Sequence, residues 1–174
     1  NDMSGRVSNL LVLGIDPGTA TTGFGLVESR GSRLRAVDYG TISTPAGMDM
    51  PERLCLINQD LSRIISQYKP QSAAVEQIFY YHNAKTVITV AQSRGVILYT
   101  VASAGVRVCE YTPLQVKQSV VGYGQADKRQ VQLMVQRILS LKEIPKPDDA
   151  ADALAIAICH LHAQRLAEIY RSEL

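Results

Sequence analysis

The beginning of the chain places short apolar runs between turn signals, and this pattern predicts three consecutive β-strands. A continuous apolar run over residues 10–15 is typical of a buried central strand. The run ends in the turn signal Asp-Pro-Gly at residues 16–18, and strand patterns resume over residues 23–28 and 34–42. Three strands joined by short turns indicate an antiparallel meander.

The rest of the chain alternates between helical and strand periodicity. The predicted elements are, in chain order, a helix over 51–68, a strand over 72–78, a long helix over 83–104, a strand over 106–111, two short helices over 112–121 and 127–141, and a final helix from about residue 149 to about residue 171. This order, βββαβαβααα, predicts an α/β fold with a mixed sheet and helices on its faces.

The helix predicted over residues 83–104 is apolar on more of its surface than a helix at the surface of a globular protein needs. One face carries Val87, Val90, Ile97 and Val101. The neighbouring face carries Ile88, Ala91, Gly95, Leu98 and Ala102. Two interpretations stay open. The helix lies at the centre of the core, or it packs both on its own sheet and on a second subunit, with Ala91 and Gly95 permitting close approach.

The composition is that of an ordinary globular protein, with 46% hydrophobic and 20% charged residues among 174. This length suits one domain, so we expect a single domain over residues 10–174 after a flexible terminus over residues 1–9. No apolar run is long enough to span a membrane, no signal peptide is recognisable, and the three scattered cysteines form no CxxC pair. We therefore expect a cytoplasmic protein without disulfide bonds.

Positive charge is concentrated between residues 107 and 146. This stretch contains seven basic and three acidic residues, a net formal charge of +4, whereas the whole chain carries only +2. On charge alone, a solvated helical surface is the preferred interpretation. The stretch becomes a phosphate-binding surface only if an active site lies beside it.

Four acidic residues stand at positions where acids are costly. Asp16 ends the first apolar run, and Glu76 interrupts the strand predicted over 72–78. Asp149 and Asp152 open the final helix on one face, three residues apart. Buried carboxylates repel one another and resist ionisation unless a cation neutralises them. Oxygen-only ligands favour Mg²⁺ or Mn²⁺ over Zn²⁺, and two such ions about 4 Å apart would hold the attacking water and the leaving oxygen of a phosphodiester.

Each of these acids also has a structural explanation. Asp16 fits an Asx turn. Asp149 with Asp152 is close to a capping box, although Asp148 could serve as the cap instead. Glu76 is the hardest to explain structurally, because glutamate is disfavoured in a central strand and no turn or cap accounts for it. The combination of a strand-end Asp, a mid-strand Glu and an Asp pair at a helix start favours a metal site over these separate explanations.

Four segments, taken together and in order, carry a resemblance to a known family. They are GIDPGTATTGFG at residues 14–25, AVEQIF at 74–79, QVKQSVVGYGQADKRQV at 115–131 and DDAADALAIAICHLH at 148–162. Together they resemble the RuvC family of bacterial Holliday junction resolvases, over nearly the whole chain. The resemblance implies a ribonuclease H-like fold, with a five-stranded mixed sheet flanked by helices and three of its strands antiparallel. It also implies a homodimer with two active sites, one for each of two opposing junction strands.

The resemblance assigns roles to individual residues. It places the catalytic, metal-binding carboxylates at Asp16, Glu76, Asp149 and Asp152, and some relatives carry histidine at the position of Asp149. It places a base-stacking aromatic residue at Phe79, and basic residues that contact DNA or assist catalysis at Lys117 and Lys128. The segment FYYHNAKT at residues 79–86 departs from the family pattern, so base preference near the cut is expected to differ.

The resemblance also implies a cofactor, partners and a process. The expected cofactor is Mg²⁺, with Mn²⁺ able to substitute and two ions in each active site. The expected partners are four-way junction DNA, a second copy of the chain, and the branch-migration helicase complex that loads on the same junction. The implied function is symmetric hydrolysis of two opposing strands during homologous recombination and DNA repair in the bacterial cytoplasm.

Three other functions remain open on the sequence. An actin-like or sugar-kinase-like ATPase would share the core but needs two such domains, and this chain has length for one. A junction-binding module without catalysis is disfavoured because all four acids are present. A related RNA-processing nuclease is disfavoured only by resemblance, through the basic segment over residues 117–129.

Overall fold

The computed structural model describes residues 9–18, 20–78 and 84–173. Its elements, in chain order, are β1 (Leu10–Asp16), β2 (Thr21–Arg30), β3 (Arg33–Ser43), α1 (Met50–Tyr68), β4 (Ser72–Glu76), α2 (Ala84–Ser103), β5 (Arg107–Tyr111), α3 (Pro113–Val121), α4 (Lys128–Ile138) and α5 (Asp148–Ser172). The predicted order of elements is therefore confirmed, with shifted ends. The flexible terminus predicted over residues 1–9 lies outside the described residues, apart from Asn9.

The five strands form one mixed sheet in the order β3-β2-β1-β4-β5. β2 pairs antiparallel with both β1 and β3, whereas β4 pairs parallel with β1 and β5 pairs parallel with β4. The expected antiparallel meander and five-stranded mixed sheet are confirmed. Because β1 and β4 are parallel neighbours, their carboxyl ends meet at the same edge of the sheet.

Helices cover both faces of the sheet, and alternate residues of the central strands point to opposite layers. In β1, Val12 packs with residues of α3, α4 and α5, whereas Leu13 and Ile15 pack with residues of α1 and α2. β4 repeats this alternation, with Ala74 in the first layer and Val75 in the second. The sheet therefore separates two hydrophobic cores, one on each face.

The helix that is buried on nearly all sides is α5. All of its residues from Ala150 to Leu161 are buried except Asp152, because this part of α5 lies between the sheet and α3 and α4. Glycines in the strands allow α5 to pack at very short distance from the sheet. A Cβ at Gly14 would lie 2.0 Å from the carbonyl oxygen of Ala153, so a larger residue would push the helix away.

The long helix α2 keeps one face open to solvent. Val90, Ile97 and Val101 are buried, but Ile88 and Tyr99 are exposed on the outward face. The interpretation of α2 as a central core helix is therefore wrong, because apolar composition alone does not distinguish a helix buried on all sides from one with an exposed apolar face. Within the described ranges, no helix combines the length and apolar character needed to cross a membrane.

Two predicted boundaries and one capping explanation are corrected by the structure. β4 ends at Glu76 instead of residue 78, so Glu76 ends its strand and does not interrupt it. α5 begins at Asp148, and its N-cap residue Pro147 makes no side-chain cap among the described residues. The alternative explanations of Asp149 with Asp152 as a capping box and of Asp148 as the cap are therefore wrong. α4 ends at Ile138 instead of residue 141, and the chain then turns through Ser140, which has a positive φ.

Candidate metal-binding and catalytic site

Acidic side chains gather at the edge of the sheet where β1 and β4 end. Asp16 and Glu76 are the last residues of these strands, and the register that pairs Ile15 with Val75 brings them side by side. Position 16 shares the parity of Val12, and position 76 shares that of Ala74. Both side chains therefore fall on the face of the sheet that α5 covers.

The first turn of α5 brings two further carboxylates to this edge. Gly23 of β2 pairs with Asp16, and the carbonyl oxygen of Asp149 lies 2.0 Å from where a Cβ of residue 23 would stand. This close approach fixes Asp149 beside Asp16, and Asp152 follows one turn later on the same helix. Ligand oxygens of Asp16, Asp149 and Asp152 lie within 4.8 Å of one another. These three residues are called the carboxylate group below.

Burial and mutual repulsion favour protonated carboxyl groups at this site. Burial, followed by the charges of Asp152, Glu76 and Asp149, raises the pKa of Asp16 to about 8. Burial, followed by the charge of Asp152, raises the pKa of Glu76 to about 7. A divalent cation would remove this repulsion, and carboxylate oxygens are the donors that Mg²⁺ and Mn²⁺ prefer. The residues present thus fit a divalent metal ion, with Glu76 adjacent to the carboxylate group.

Two lysines bring positive charge to the same region. Lys128, the first residue of α4, places its Nζ 3.6 Å from a carboxylate oxygen of Asp152 and 3.2 Å from one of Asp148. Lys117 of α3 lies near enough to Glu76 for its charge to lower the pKa of that carboxyl group, against the larger effect of burial. Both lysines thus lie close to acidic side chains of the site.

Arg94 of α2 connects this site to the opposite layer of helices. Its Nε donates a hydrogen bond of 3.3 Å to the backbone carbonyl oxygen of Glu76, and its guanidinium group also pairs with Glu110 of β5. Sequence reasoning missed Arg94, because a contact between distant segments has no signal in a single sequence. It also assigned Asp148 only a possible capping role, although the spacing of four to Asp152 places both acids on one face of the helix.

The structure brings six of the seven predicted site residues into one region: Asp16, Glu76, Asp149, Asp152, Lys117 and Lys128. Phe79, the seventh, lies outside the described residues, together with the neighbouring residues 80–83. The arrangement combines a divalent-metal site with adjacent ammonium groups. This combination is suited to binding and hydrolysing a phosphodiester.

Known proteins similar to this chain match it over most of its length. The family model for "Crossover junction endodeoxyribonuclease RuvC" matches residues 12–160. The protein of that name from Syntrophomonas wolfei subsp. wolfei is 65% identical over 161 residues, which cover 92% of this chain and 94% of the relative. The protein of the same name from Rubrobacter xylanophilus is 54% identical over 164 residues, which cover 94% of this chain and 92% of the relative.

Solved structures with the same fold include a close match. The structure of T. thermophilus RuvC in complex with Holliday junction substrate is 36% identical, has a TM-score of 0.87, and covers 91% of this chain and 96% of that one. The yeast mitochondrial Holliday junction resolvase Ydc2 has a TM-score of 0.67 over 92% of this chain and 83% of that one, and at 14% identity it supports the fold alone. The expected ribonuclease H-like fold is confirmed. By the family model, the sequence identities and the fold, the chain belongs to the RuvC family of crossover junction endodeoxyribonucleases.

Proposed function

We propose that this protein resolves four-way DNA junctions by metal-dependent hydrolysis, acting as a homodimer that cuts two opposing strands symmetrically. The observation that carries the proposal is the carboxylate group, with ligand oxygens within 4.8 Å of one another in a chain of the RuvC family. The T. thermophilus relative in complex with Holliday junction substrate supports the choice of DNA. By resemblance, we also propose a role in recombination and repair in the bacterial cytoplasm, with the branch-migration helicase complex as a partner.

In the proposed reaction, the acidic and basic residues have separate tasks. The carboxylate group and Glu76 would hold two Mg²⁺ ions, and Mn²⁺ is expected to substitute. When bound, such ions supply positive charge to the attacking water and to the leaving oxygen of the phosphodiester. Lys117 and Lys128 bind the phosphate and offset the negative charge that grows in the transition state. Phe79, which lies outside the described residues, is proposed by resemblance to stack on a base near the junction.

A cleavage assay on a synthetic four-way junction, with and without Mg²⁺, tests the proposed function. Glu76→Gln should abolish cutting while junction binding survives, because the substitution removes a charge that holds the metal but keeps most of the volume. Asp60→Asn is a matched control, since Asp60 pairs with Arg63 on α1, on the opposite face of the sheet, and it should cut at the wild-type rate. Cutting by Glu76→Gln at the wild-type rate would contradict the proposed site. Wild-type protein that fails to cut with Mg²⁺ would contradict the function itself.

The proposed homodimer rests on the outward face of α2. Ile88 and Tyr99 on this face are 58% and 69% exposed, and the small residues Ala91 and Gly95 lie between them, also exposed. A Cβ added at Gly95 would meet no described residue within 4 Å, so another helix has room to approach closely. An exposed apolar face of this kind is typical of a protein–protein interface. A two-fold homodimer carries two identical sites, which matches the pseudo-two-fold symmetry of a four-way junction.

A further inference from the structure

Asp148, the first acid of the segment DDAAD, differs from Asp149 and Asp152 in what it contacts. Among the described residues, the carboxylate group includes Asp149 and Asp152 and leaves Asp148 outside. One carboxylate oxygen of Asp148 accepts a hydrogen bond of 3.1 Å from Nε2 of Gln132, and the other lies 3.2 Å from Nζ of Lys128. Because Gln132 is buried in α4, packing fixes this partner of Asp148.

Lys128 is held between two acids that lie one helical turn apart. Its Nζ is 3.2 Å from Asp148 and 3.6 Å from Asp152. Its backbone is fixed, because it lies inside the capping box that Asp127 and Gln130 form at the start of α4. Its long side chain is 55% exposed, however, so the position of the ammonium group depends on the carboxylates that hold it.

We propose that Asp148 is a positioning residue that holds the Lys128 ammonium group at the edge of the carboxylate group, where it meets the phosphate to be cut. This inference rests on the proposed nuclease function. Asp152 alone would position the Lys128 ammonium group poorly, because a divalent ion bound to Asp152 would compete with the lysine for the same carboxylate. Asp148 lies outside the carboxylate group and stays available to the lysine. An exposed ion pair adds little to stability, so the effect of Asp148 is expected on the reaction.

The substitution Asp148→Asn separates positioning from a general charge effect. Loss of positioning predicts slower cutting, whereas removal of a negative charge alone predicts no weakening of junction binding. Removing an exposed negative charge beside a DNA-binding surface should leave junction affinity, measured without metal, unchanged or higher. If Asp148 positions Lys128, the same variant should cut about tenfold more slowly at saturating junction, because a displaced catalytic group loses much of its effect. Asp148→Glu keeps the charge and should recover most of the rate.

A double-mutant cycle with Lys128→Met tests whether Asp148 acts through the lysine. In the Lys128→Met background, Asp148→Asn should cause no further loss of rate. A second loss of about tenfold in that background, or a wild-type rate for Asp148→Asn alone, would overturn the inference. Thermal unfolding of all variants verifies that the fold is intact. Wild-type protein that fails to cut with Mg²⁺ would contradict the proposed function, so the two failures are distinguishable.

Discussion

At the scale of single residues, the burial of Asp16 among other acids lowers the folding stability of the metal-free protein. The pKa of Asp16 rises from 3.8 to about 8 on folding, chiefly through burial and then through the charges of Asp152, Glu76 and Asp149. The folded protein therefore holds a proton that the unfolded chain releases at much lower pH. Stability falls with rising pH wherever the folded state binds more protons than the unfolded state. The share of the folding stability that depends on a protonated Asp16 is thus fully present below about pH 4 and is lost as the pH rises through about 8.

We expect Asp16→Asn to be more stable than the wild type in the absence of metal, by an amount that grows between pH 5 and pH 8. The difference at pH 8 should exceed about 1.4 kcal/mol, the effect of one pKa unit, because the amide has no proton to lose. Denaturant unfolding in EDTA measures it. Comparing variant and wild type at each pH cancels groups that do not interact with Asp16, including His160, whose pKa burial lowers to about 4. Mg²⁺ should stabilise the wild type and have much less effect on the variant. Equal stability at both pH values would contradict the burial of a protonated Asp16.

Lys117 and Lys128 can be tested as DNA contacts or as catalytic groups. If either serves only to anchor a phosphate, its replacement by alanine should weaken junction binding and reduce the slope of log K against log salt by about one unit. If it stabilises charge in the reaction, cutting at saturating junction should slow instead. Arg63→Ala, on the opposite face of the sheet, is the control for a general loss of positive charge. Finding neither effect in either lysine variant would favour the interpretation of the basic stretch over residues 107–146 as a solvated helical surface.

The sequence pointed to the four acids of the site because carboxylates are costly where they stand, whereas Lys117, Lys128 and Phe79 were assigned only by the family resemblance. The alternation in each strand would also have placed Asp16 and Glu76 on one face, since residues 12, 14 and 16 and residues 74 and 76 share parity. Contacts that depend on segments far apart in the chain could not be predicted. These include the bond from Arg94 to the carbonyl oxygen of Glu76, and the bond from Gln132 to Asp148.

At the scale of elements, α5 assembles the site because glycines let it lie directly on the sheet. Gly14 and Gly23 contact the helix through positions where a side chain would overlap backbone atoms. Sequence periodicity predicted the existence of α5 but singled out α2 as the helix apolar on most sides. An alanine-rich helix such as α5 has weak amphipathic character, and its complete burial follows from close packing that only the three-dimensional arrangement reveals.

Gly23→Ala should separate α5 from the sheet at the point where the site forms. The added Cβ would stand 2.0 Å from the carbonyl oxygen of Asp149, so the first turn of α5 must shift. We expect stability to fall by about 1–3 kcal/mol, which is typical of overpacking. The rate of junction cutting should fall more than tenfold, because misplaced ligands lose most of their effect. Mg²⁺ should also stabilise the variant much less than it stabilises the wild type.

Gly40→Ala in β3 is the matched control for Gly23→Ala. Its Cβ would meet the ring of Phe24 at 3.1 Å, and a side chain can move more easily than a helix backbone. This variant should therefore keep Mg²⁺-dependent stabilisation and junction cutting. Unchanged Mg²⁺ stabilisation in Gly23→Ala would show that the helix start is not held as the structure indicates.

At the scale of the whole molecule, α2 joins the candidate site to the candidate dimer interface. Arg94 on one side of the helix bonds the carbonyl oxygen of Glu76, while Ile88 and Tyr99 on the other side face solvent. A second copy that packs on the outward face would therefore contact the helix that supports the end of β4. Dimerisation and cutting are expected to depend on each other for this reason.

Gly95→Glu should convert the proposed dimer to a monomer without disturbing the fold. A Cβ at position 95 would meet no described residue within 4 Å in the single chain, and replacing glycine within a helix favours helix formation. In a two-fold contact, however, the added bulk and the two like charges would oppose close approach. Sedimentation at micromolar concentration should show a wild-type dimer and a variant monomer, with Gln67→Glu at an exposed position of α1 as the charge control. On a plasmid that extrudes a cruciform, paired cuts linearise the DNA and single cuts only relax it, so the variant should lose linear product. A monomeric wild type, or a Gly95→Glu variant that still sediments as a dimer and linearises the plasmid, would exclude this face as the functional interface.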